Sequence, residues 1–130
     1  MLTEYDNTLC SILSEVTNTA LVSDDRAWRQ AALPVKLGGL GVRSAVEVAP
    51  SAFLASMHAN AAPVEAILPA TLCPPMLFLV EEALSKWAEG HSSQSPAGSD
   101  AQRQKHWDIL RSQATAIKLE KSATNDIDKA

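Results

Sequence analysis

The sequence predicts an all-α fold, a small irregular bundle of four to six helices with a glycine-rich turn after the second helix and a flexible linker before the last. Apolar residues recur every three or four positions, which is typical of helices, and no stretch alternates apolar and polar residues over a strand length. The 130 residues are 46% hydrophobic and 20% charged, a globular composition, while aromatic residues make up only 5%. This length suits one modest domain with a small core.

The first helix is predicted at about residues 4–20, where apolar residues recur at helical spacing: Leu9, Ile12, Leu13, Val16 and Ala20. Thr3 and Asp6 are both candidate caps for this helix. A short second helix carries Trp28 and Ala31, with Ser23, Asp24 and Asp25 as its capping residues. We expect the second helix to end at Pro34, because the residue before a proline is displaced from the α region.

Glycine is dense at Gly38, Gly39 and Gly41, between residues that can be buried. Glycine permits positive φ, so this spacing predicts a tight structural turn. A phosphate-cradling loop is the alternative. It is disfavoured because the segment has neither Gly-x-Gly-x-x-Gly nor Gly-Lys-Ser/Thr spacing and follows no strand.

A third helix follows the turn, since Ser44 and Glu47 have the spacing of a capping box. It runs through Leu54, and Pro50 is expected to kink it or split it in two, at a cost of about 3 kcal/mol if uncompensated. Residues 63–68 are predicted to add one further helical turn.

A fourth helix is predicted from near Pro75 to about Glu89, with proline in its first turn and Gly90 as its stop. The polar stretch 91–100 is predicted to be a flexible linker. Residues 101–122 form the last helix, and residues 123–130 a disordered tail. The predicted domain organisation is therefore a helical domain over 1–90, the linker, and the C-terminal helix.

The charge is unevenly distributed along the chain. The formal net charge is −4, from 11 Lys and Arg against 15 Asp and Glu, which argues against a dedicated nucleic-acid-binding domain. Residues 26–46 nevertheless contain no acidic residue and carry Arg26, Arg29, Lys36 and Arg43. If the turn brings these four side chains onto one face, they are candidates for contacting nucleic-acid phosphates. The alternative is a solvated basic rim.

The sequence indicates no catalytic, metal or cofactor site. Asp24 and Asp25 invite comparison with the paired aspartates that hold Mg²⁺ in polymerases, but a helix N-cap explains them better. Cys10 and Cys73 have no partner at ligand spacing and are predicted to be buried thiols in a reducing compartment, although a disulfide between them stays open. His58, His91 and His106 have no catalytic spacing. Three tryptophans, Trp28, Trp87 and Trp107, occupy apolar stripes and are predicted to be core residues.

No apolar run reaches the ~20 residues that a membrane-spanning helix needs. The start of the chain has neither the basic nor the apolar region of a signal peptide. We therefore expect a soluble, intracellular protein with no membrane partner, in either the nucleus or the cytoplasm.

The segment from Trp28 to Ala45 resembles the region that follows the palm in reverse transcriptases of non-LTR (LINE-type) retrotransposons. The densest likeness is a Trp-x-Gln-Ala-x-Leu-Pro run followed by Gly-Gly-Leu-Gly, here Trp28, Gln30, Ala31, Leu33, Pro34, Gly38, Gly39, Leu40, Gly41, Ser44 and Ala45. A looser likeness extends from about Glu4 to Trp107. It includes the small-residue helix at residues 50–56.

This resemblance implies a thumb-like or connection-like helical region over residues 1–90 that helps to grip RNA or an RNA–DNA duplex within a full-length polymerase. It implies no enzymatic activity for this chain, because no position matches the family's palm aspartates. Two alternatives remain. One is a helical protein-interaction module that self-associates through exposed apolar faces at residues 75–87 or 101–117. The other is a retroelement remnant without function.

Overall fold

The computed structural model describes residues 1–22, 26–68, 73–89, 91 and 94–129, and that part of the chain is helical with no strand. The predicted all-α fold class is confirmed. The five α-helices of the described part are α1 (Leu2–Thr17), α2 (Arg26–Ala31), α3 (Ala45–Ile67), α4 (Cys73–Ala88) and α5 (Gln104–Lys129). Two short 3-10 helices, Val35–Leu37 and Gly98–Gln102, lie among them.

The chain divides into two compact units. Unit 1 contains Met1–Val46 and Ser112–Ala130, and unit 2 contains Glu47–Arg111. The boundaries fall within α3 and α5, so both of these helices contribute to both units. This division differs from the predicted domain over residues 1–90 with a separate C-terminal helix.

Unit 2 has an apolar core built around two tryptophans. Trp87 and Trp107 are each 1% exposed, and their rings meet edge to face at 5.0 Å between centroids. Each indole N–H donates to a backbone carbonyl, Trp87 to Trp107 O at 3.0 Å and Trp107 to Ala101 O at 2.8 Å. Aromatic rings prefer this geometry, and a buried indole needs an acceptor. The prediction that these tryptophans are core residues is confirmed, as it is for Trp28 in unit 1.

Unit 1 is organised around a buried carboxylate. Asp6 of α1 is 6% exposed and accepts hydrogen bonds from the Ser44 hydroxyl, from the Ala45 amide at 2.7 Å and from the Val46 amide at 3.3 Å. These amides belong to the first turn of α3, whose N–H groups have no partner within the helix. Asp6 therefore caps α3. The prediction that Thr3 or Asp6 caps the first helix is wrong, because the N-cap of α1 is Met1 and makes no side-chain cap bond.

The buried face of α1 differs from the predicted one. Ile12 and Val16 were expected on the core stripe, but they are 53% and 77% exposed, while Asp6 and Cys10 are buried. Asp6 is held against the start of α3 and Cys10 lies one turn further on, so this side of the helix faces inward. At about 100° per residue, Ile12 and Val16 are then rotated toward solvent.

The helix α1 ends three residues before the predicted end. Asn18 adopts the left-handed conformation with φ 51°, which stops the helix. The Ser14 hydroxyl donates to the Thr19 carbonyl and accepts from the Leu21 amide at 3.1 Å. Ser14 thus satisfies backbone groups of residues 19 and 21 outside the helix.

The helix α3 is continuous over 23 residues and contains both Pro50 and Pro63. Pro50 was predicted to kink the helix or to split it in two, and the split is wrong because α3 is continuous; residues 63–67 belong to the same helix. Each proline removes one backbone hydrogen bond. Burial of Leu54 and Ala55 in the turns after Pro50 stabilises the helical path.

The C-terminal part of the chain is more helical than the sequence predicts. His91 in the predicted linker is half-buried. Residues 98–102, which span the end of that linker and the start of the predicted last helix, form a 3-10 helix whose Ala101 is 2% exposed. The helix α5 begins at Gln104 and extends to Lys129, so the predicted disordered tail is helical over residues 123–129. The helix α4 begins at Cys73, so Pro74 and Pro75 lie in its first turn as expected. Gly90, its predicted stop, lies outside the described residues.

Within the described part of the chain, no helix combines the length and the apolar character that crossing a membrane requires.

Candidate nucleic-acid interface

The basic segment, defined as residues 26–46, lies entirely in unit 1. Arg26 and Arg29 belong to α2, and Lys36 belongs to the 3-10 helix Val35–Leu37. All three side chains are exposed. Trp28 and Leu33, which lie between them in sequence, are 4% and 5% exposed. The segment therefore packs through apolar side chains, while three of its cationic side chains are exposed.

The fourth predicted cation is placed differently. Arg43 is half-buried, and its two terminal guanidinium nitrogens lie 3.5 and 3.4 Å from the Ser112 hydroxyl of α5. Ser112 itself is 5% exposed. Arg43 thus links the end of the glycine turn to α5 within unit 1, and it differs in exposure from the other three cations.

The glycine turn uses its own amides. The amide of Gly39 donates to Pro34 O at 3.2 Å, that of Leu40 to Ala31 O at 3.0 Å and that of Gly41 to Leu33 O at 3.0 Å. Gly38 donates to Val35 O at 3.1 Å. A phosphate-cradling loop needs amides that point at the ligand. These four amides already donate to backbone carbonyls of the same segment, which supports a structural turn over a phosphate-binding loop.

Two features of the turn require glycine. Gly38 and Gly41 have φ of 84° and 74°, in the left-handed region that residues with a Cβ avoid. At Gly39 the reason is steric, because a Cβ there would lie 2.0 Å from the Leu33 carbonyl oxygen. The turn is therefore a fixed close approach between the chain before Pro34 and the chain after Lys36.

Two histidines, His58 and His91, contact the tryptophans of unit 2. His58 stacks on Trp107 at 5.6 Å between ring centroids, and the rings of His91 and Trp87 are nearly perpendicular with centroids 4.7 Å apart. The Nε2 atom of His91 lies 2.7 Å from the Trp87 carbonyl. No group of three His, Cys, Asp or Glu side chains in the described residues could hold a metal ion.

The paired aspartates Asp24 and Asp25, and with them the predicted cap of α2, lie outside the described residues. The Cys10 thiol is buried and forms no disulfide within the described part of the chain. Cys73 is the first residue of α4, and its side chain is not among those that the structure describes.

Sequence reasoning missed two polar residues that organise the units. One is Asp6, described above. The other is Arg111, whose Nε lies 2.6 Å from Glu47 Oε2 and whose Nη1 donates to the Lys86 and Trp87 carbonyls, both at 2.7 Å. A guanidinium at a helix C-terminus satisfies carbonyls without an intrahelical partner and complements the helix dipole. The Glu47 carboxylate, predicted to belong to a capping box with Ser44, contacts Arg111.

Asp6 had no signal that separates it from an exposed carboxylate, since it lies outside the apolar stripe from which the first helix is predicted. Arg111 also had no such signal, because the α4 carbonyls to which it donates lie more than twenty residues away in the sequence.

Comparison of the chain with protein-family models, with curated proteins and with solved structures gives no significant match. The resemblance to non-LTR reverse transcriptases therefore stays a prediction that rests on the residues from Trp28 to Ala45.

Proposed function

We propose that this chain is a helical accessory region related to the post-palm part of a retrotransposon reverse transcriptase and that it contacts nucleic acid weakly through its basic segment. The observation that carries the proposal is the exposure of Arg26, Arg29 and Lys36 in a segment without any Asp or Glu. Cations presented in this way contact phosphates and steer association with a polyanion.

The chemistry of the segment favours backbone contacts over base recognition. Trp28 is its one aromatic residue, and it is buried, so it cannot stack on a base. The amides of the glycine turn are engaged internally. Recognition then falls to the long cationic side chains, which read charge and not sequence. Because the formal net charge of the chain is −4, we expect weak binding.

We propose no polymerase activity for this chain. Two-metal catalysis requires carboxylates from several elements that place two ions about 4 Å apart. In the sequence, Asp24 and Asp25 follow Leu21-Val-Ser and precede a helical segment, a context unlike that of the polymerase pair.

The test measures anisotropy of a labelled RNA–DNA duplex over a salt series. With three phosphate contacts we expect log K to fall against log salt with a slope of about −2 to −3. Arg29→Gln and Lys36→Gln should each reduce the slope by about one, since each removes one phosphate contact. Lys118→Gln is the matched control, because it removes an exposed cation of α5 in the same unit.

Binding that does not change with salt would contradict the proposal, as would an equal loss in the Lys118 control. A second substrate, a mixture of unrelated duplex sequences, should bind with the same affinity. Sequence preference would show a kind of recognition that this segment does not support.

A second candidate function is a self-associating helical module. Phe78, Leu79 and Leu84 of α4 in unit 2 are exposed, at 66%, 49% and 39%, and Ile109 of α5 in the same unit is 48% exposed. Ile117 of α5, in unit 1, is 51% exposed. Exposed apolar groups of this size occur at protein-binding surfaces. Sedimentation velocity over a concentration series tests it, with Phe78→Ser and Leu79→Ser expected to abolish any dimer. A monomer at all concentrations would exclude this candidate.

A further inference from the structure

A short stretch of unit 2, just before the 3-10 helix Gly98–Gln102, presents a serine to solvent. Ser95 and its neighbour Gln94 are exposed and belong to no helix. The Ser95 hydroxyl has no hydrogen-bond partner, and no backbone hydrogen bond joins residues 94–96 to another described residue. The stretch can therefore enter the groove of another protein without the loss of a described hydrogen bond.

The other serines of the described part of the chain are placed differently. Three of them, Ser44, Ser51 and Ser112, are buried. The rest lie in helices, where the backbone is held by helical hydrogen bonds: Ser11, Ser14, Ser56, Ser85, Ser99 and Ser122. Among the described serines, Ser95 is thus the one that is both exposed and outside a helix.

The residue after Ser95 favours an extended backbone. A proline displaces the residue before it from the α region toward extended conformations, and Pro96 has this effect on Ser95. Ala97 is extended as well, with φ −130° and ψ 161°. Phosphoryl transfer needs the attacking hydroxyl in line with the oxygen that leaves. A serine on an extended, exposed stretch can take up that position, whereas neighbouring turns crowd a serine within a helix.

Pro96 also determines which class of kinase fits. Proline has no amide N–H, so a kinase whose groove pairs with the amide after the acceptor would be left with an unsatisfied group. We propose that Ser95 is the acceptor for a proline-directed serine kinase. The Ser95 Oγ attacks the γ-phosphorus of ATP, and the bond from that phosphorus to the oxygen bridging the β- and γ-phosphates breaks. ADP leaves, and the hydroxyl proton passes to the catalytic aspartate of the kinase.

The phosphate adds charge at the surface without changing the fold. A phosphoserine carries a charge of about −1.5 to −2 at pH 7. Because the Ser95 side chain is exposed and makes no hydrogen bond, the phosphate stays in water and displaces no contact. Far-ultraviolet circular dichroism and the urea midpoint should therefore be the same for the modified and the unmodified protein.

The test incubates the full chain with a mitogen-activated protein kinase and ATP and locates the phosphate by mass spectrometry. We expect a single phosphate, on Ser95, and none in Ser95→Ala. Pro96→Ala keeps the hydroxyl but should lower kcat/KM by about tenfold or more, since the kinase then loses the residue that it selects. Ser99→Ala is the matched control. It removes an exposed serine that precedes Asp100 and not a proline, so the rate should be unchanged.

A synthetic peptide of residues 91–100 separates access from recognition. Since the native stretch needs no unfolding, kcat/KM of the folded chain should lie within about threefold of the peptide value. A folded chain that is modified more slowly than this would overturn the proposal, because the fold would then hide Ser95. Phosphate on Ser99, a rate that Pro96→Ala leaves unchanged, or no phosphate on either chain or peptide would overturn it too. The reaction contains no nucleic acid, so its outcome is independent of the proposed nucleic-acid contact.

Discussion

The two units bury different chemistry. Unit 2 encloses two tryptophans with leucine and alanine, and its buried indole N–H groups are paired with backbone carbonyls. Unit 1 buries Trp28 and Leu33, and with them Asp6, Ser44 and Ser112. An aromatic core is stabilised by the large apolar area that it removes from water. A buried carboxylate is stabilising only while its hydrogen-bond donors remain in place.

This difference predicts which kind of substitution should destabilise each unit most. Removing ring volume leaves a cavity that neighbouring side chains refill incompletely. Removing a buried acceptor leaves N–H and O–H groups without a partner in a place that water reaches poorly. Unit 2 should therefore be most sensitive to truncation and unit 1 to loss of polarity.

The largest effect is expected for Trp87→Ala in unit 2. The indole is 1% exposed and contacts Trp107, so its loss should lower the free energy of unfolding by about 3–5 kcal/mol. Near-ultraviolet circular dichroism and hydrogen exchange of unit 2 amides are the measurements. Trp87→Phe is the control that keeps an aromatic ring but loses the N–H bond to Trp107 O.

Trp87→Phe should cost less than Trp87→Ala, because most of the apolar area is retained. Equal costs for the two variants would show that the hydrogen bond, and not the ring volume, dominates in unit 2. That result would remove the contrast between the units.

In unit 1 the corresponding substitution is Asp6→Ala, expected to cost about 3 kcal/mol. It removes a carboxylate that accepts from Ser44, Ala45 and Val46, and so leaves the first turn of α3 without its cap. Urea unfolding measures the loss, and hydrogen exchange should show faster exchange of the Ala45 and Val46 amides. Glu4→Ala is the matched control, because it removes an exposed carboxylate from the same helix.

Asp6→Asn should recover part of the stability, since one amide oxygen still accepts from a backbone N–H. If Asp6→Ala costs no more than the Glu4 control, the buried carboxylate does not organise unit 1.

The contrast also explains how much of the fold the sequence could predict. The helices were predictable because apolar periodicity is a local signal, and the tryptophans were predictable because they lie on those stripes. The inward face of α1 was not. It is set by hydrogen bonds between Asp6 and residues 44–46, more than thirty positions later. Ile12 and Val16 lie on the predicted apolar stripe of α1 and were expected to be buried. They are exposed, because the side of the helix that carries Asp6 faces inward.

The candidate interface was predictable to a similar degree. The absence of acidic residues over 26–46 is visible in the sequence, and Arg26, Arg29 and Lys36 are exposed. The placement of Arg43 was not predictable, because its contact with Ser112 joins residues far apart in the chain. The length of α5 was also missed. Its last turns have no apolar periodicity, which is the signal that the prediction used.

In the glycine turn of unit 1 the backbone, and not a side chain, determines the structure. Gly39→Ala should cost about 2 kcal/mol, since its Cβ would meet the Leu33 carbonyl oxygen and the chain must move apart. Gly38→Ala is the matched control. No atom would obstruct its Cβ, and only the positive φ opposes it, at about 1 kcal/mol. Thermal unfolding of the two variants should rank them in this order, and the reverse order would contradict the close approach at Gly39.

The smallest effect has the opposite sign. Ser51 of α3 is 0% exposed in unit 2, and its hydroxyl has no hydrogen-bond partner among the described residues. Ser51→Ala removes a buried polar group without adding volume, so we expect the free energy of unfolding to rise by about 1 kcal/mol. Ser112→Ala in unit 1 is the matched control and should lower stability, because that buried hydroxyl contacts Arg43. A gain in both variants would mean that buried hydroxyls are equally dispensable in the two units, and the distinction between an apolar unit 2 and a polar unit 1 would then rest on Asp6 alone.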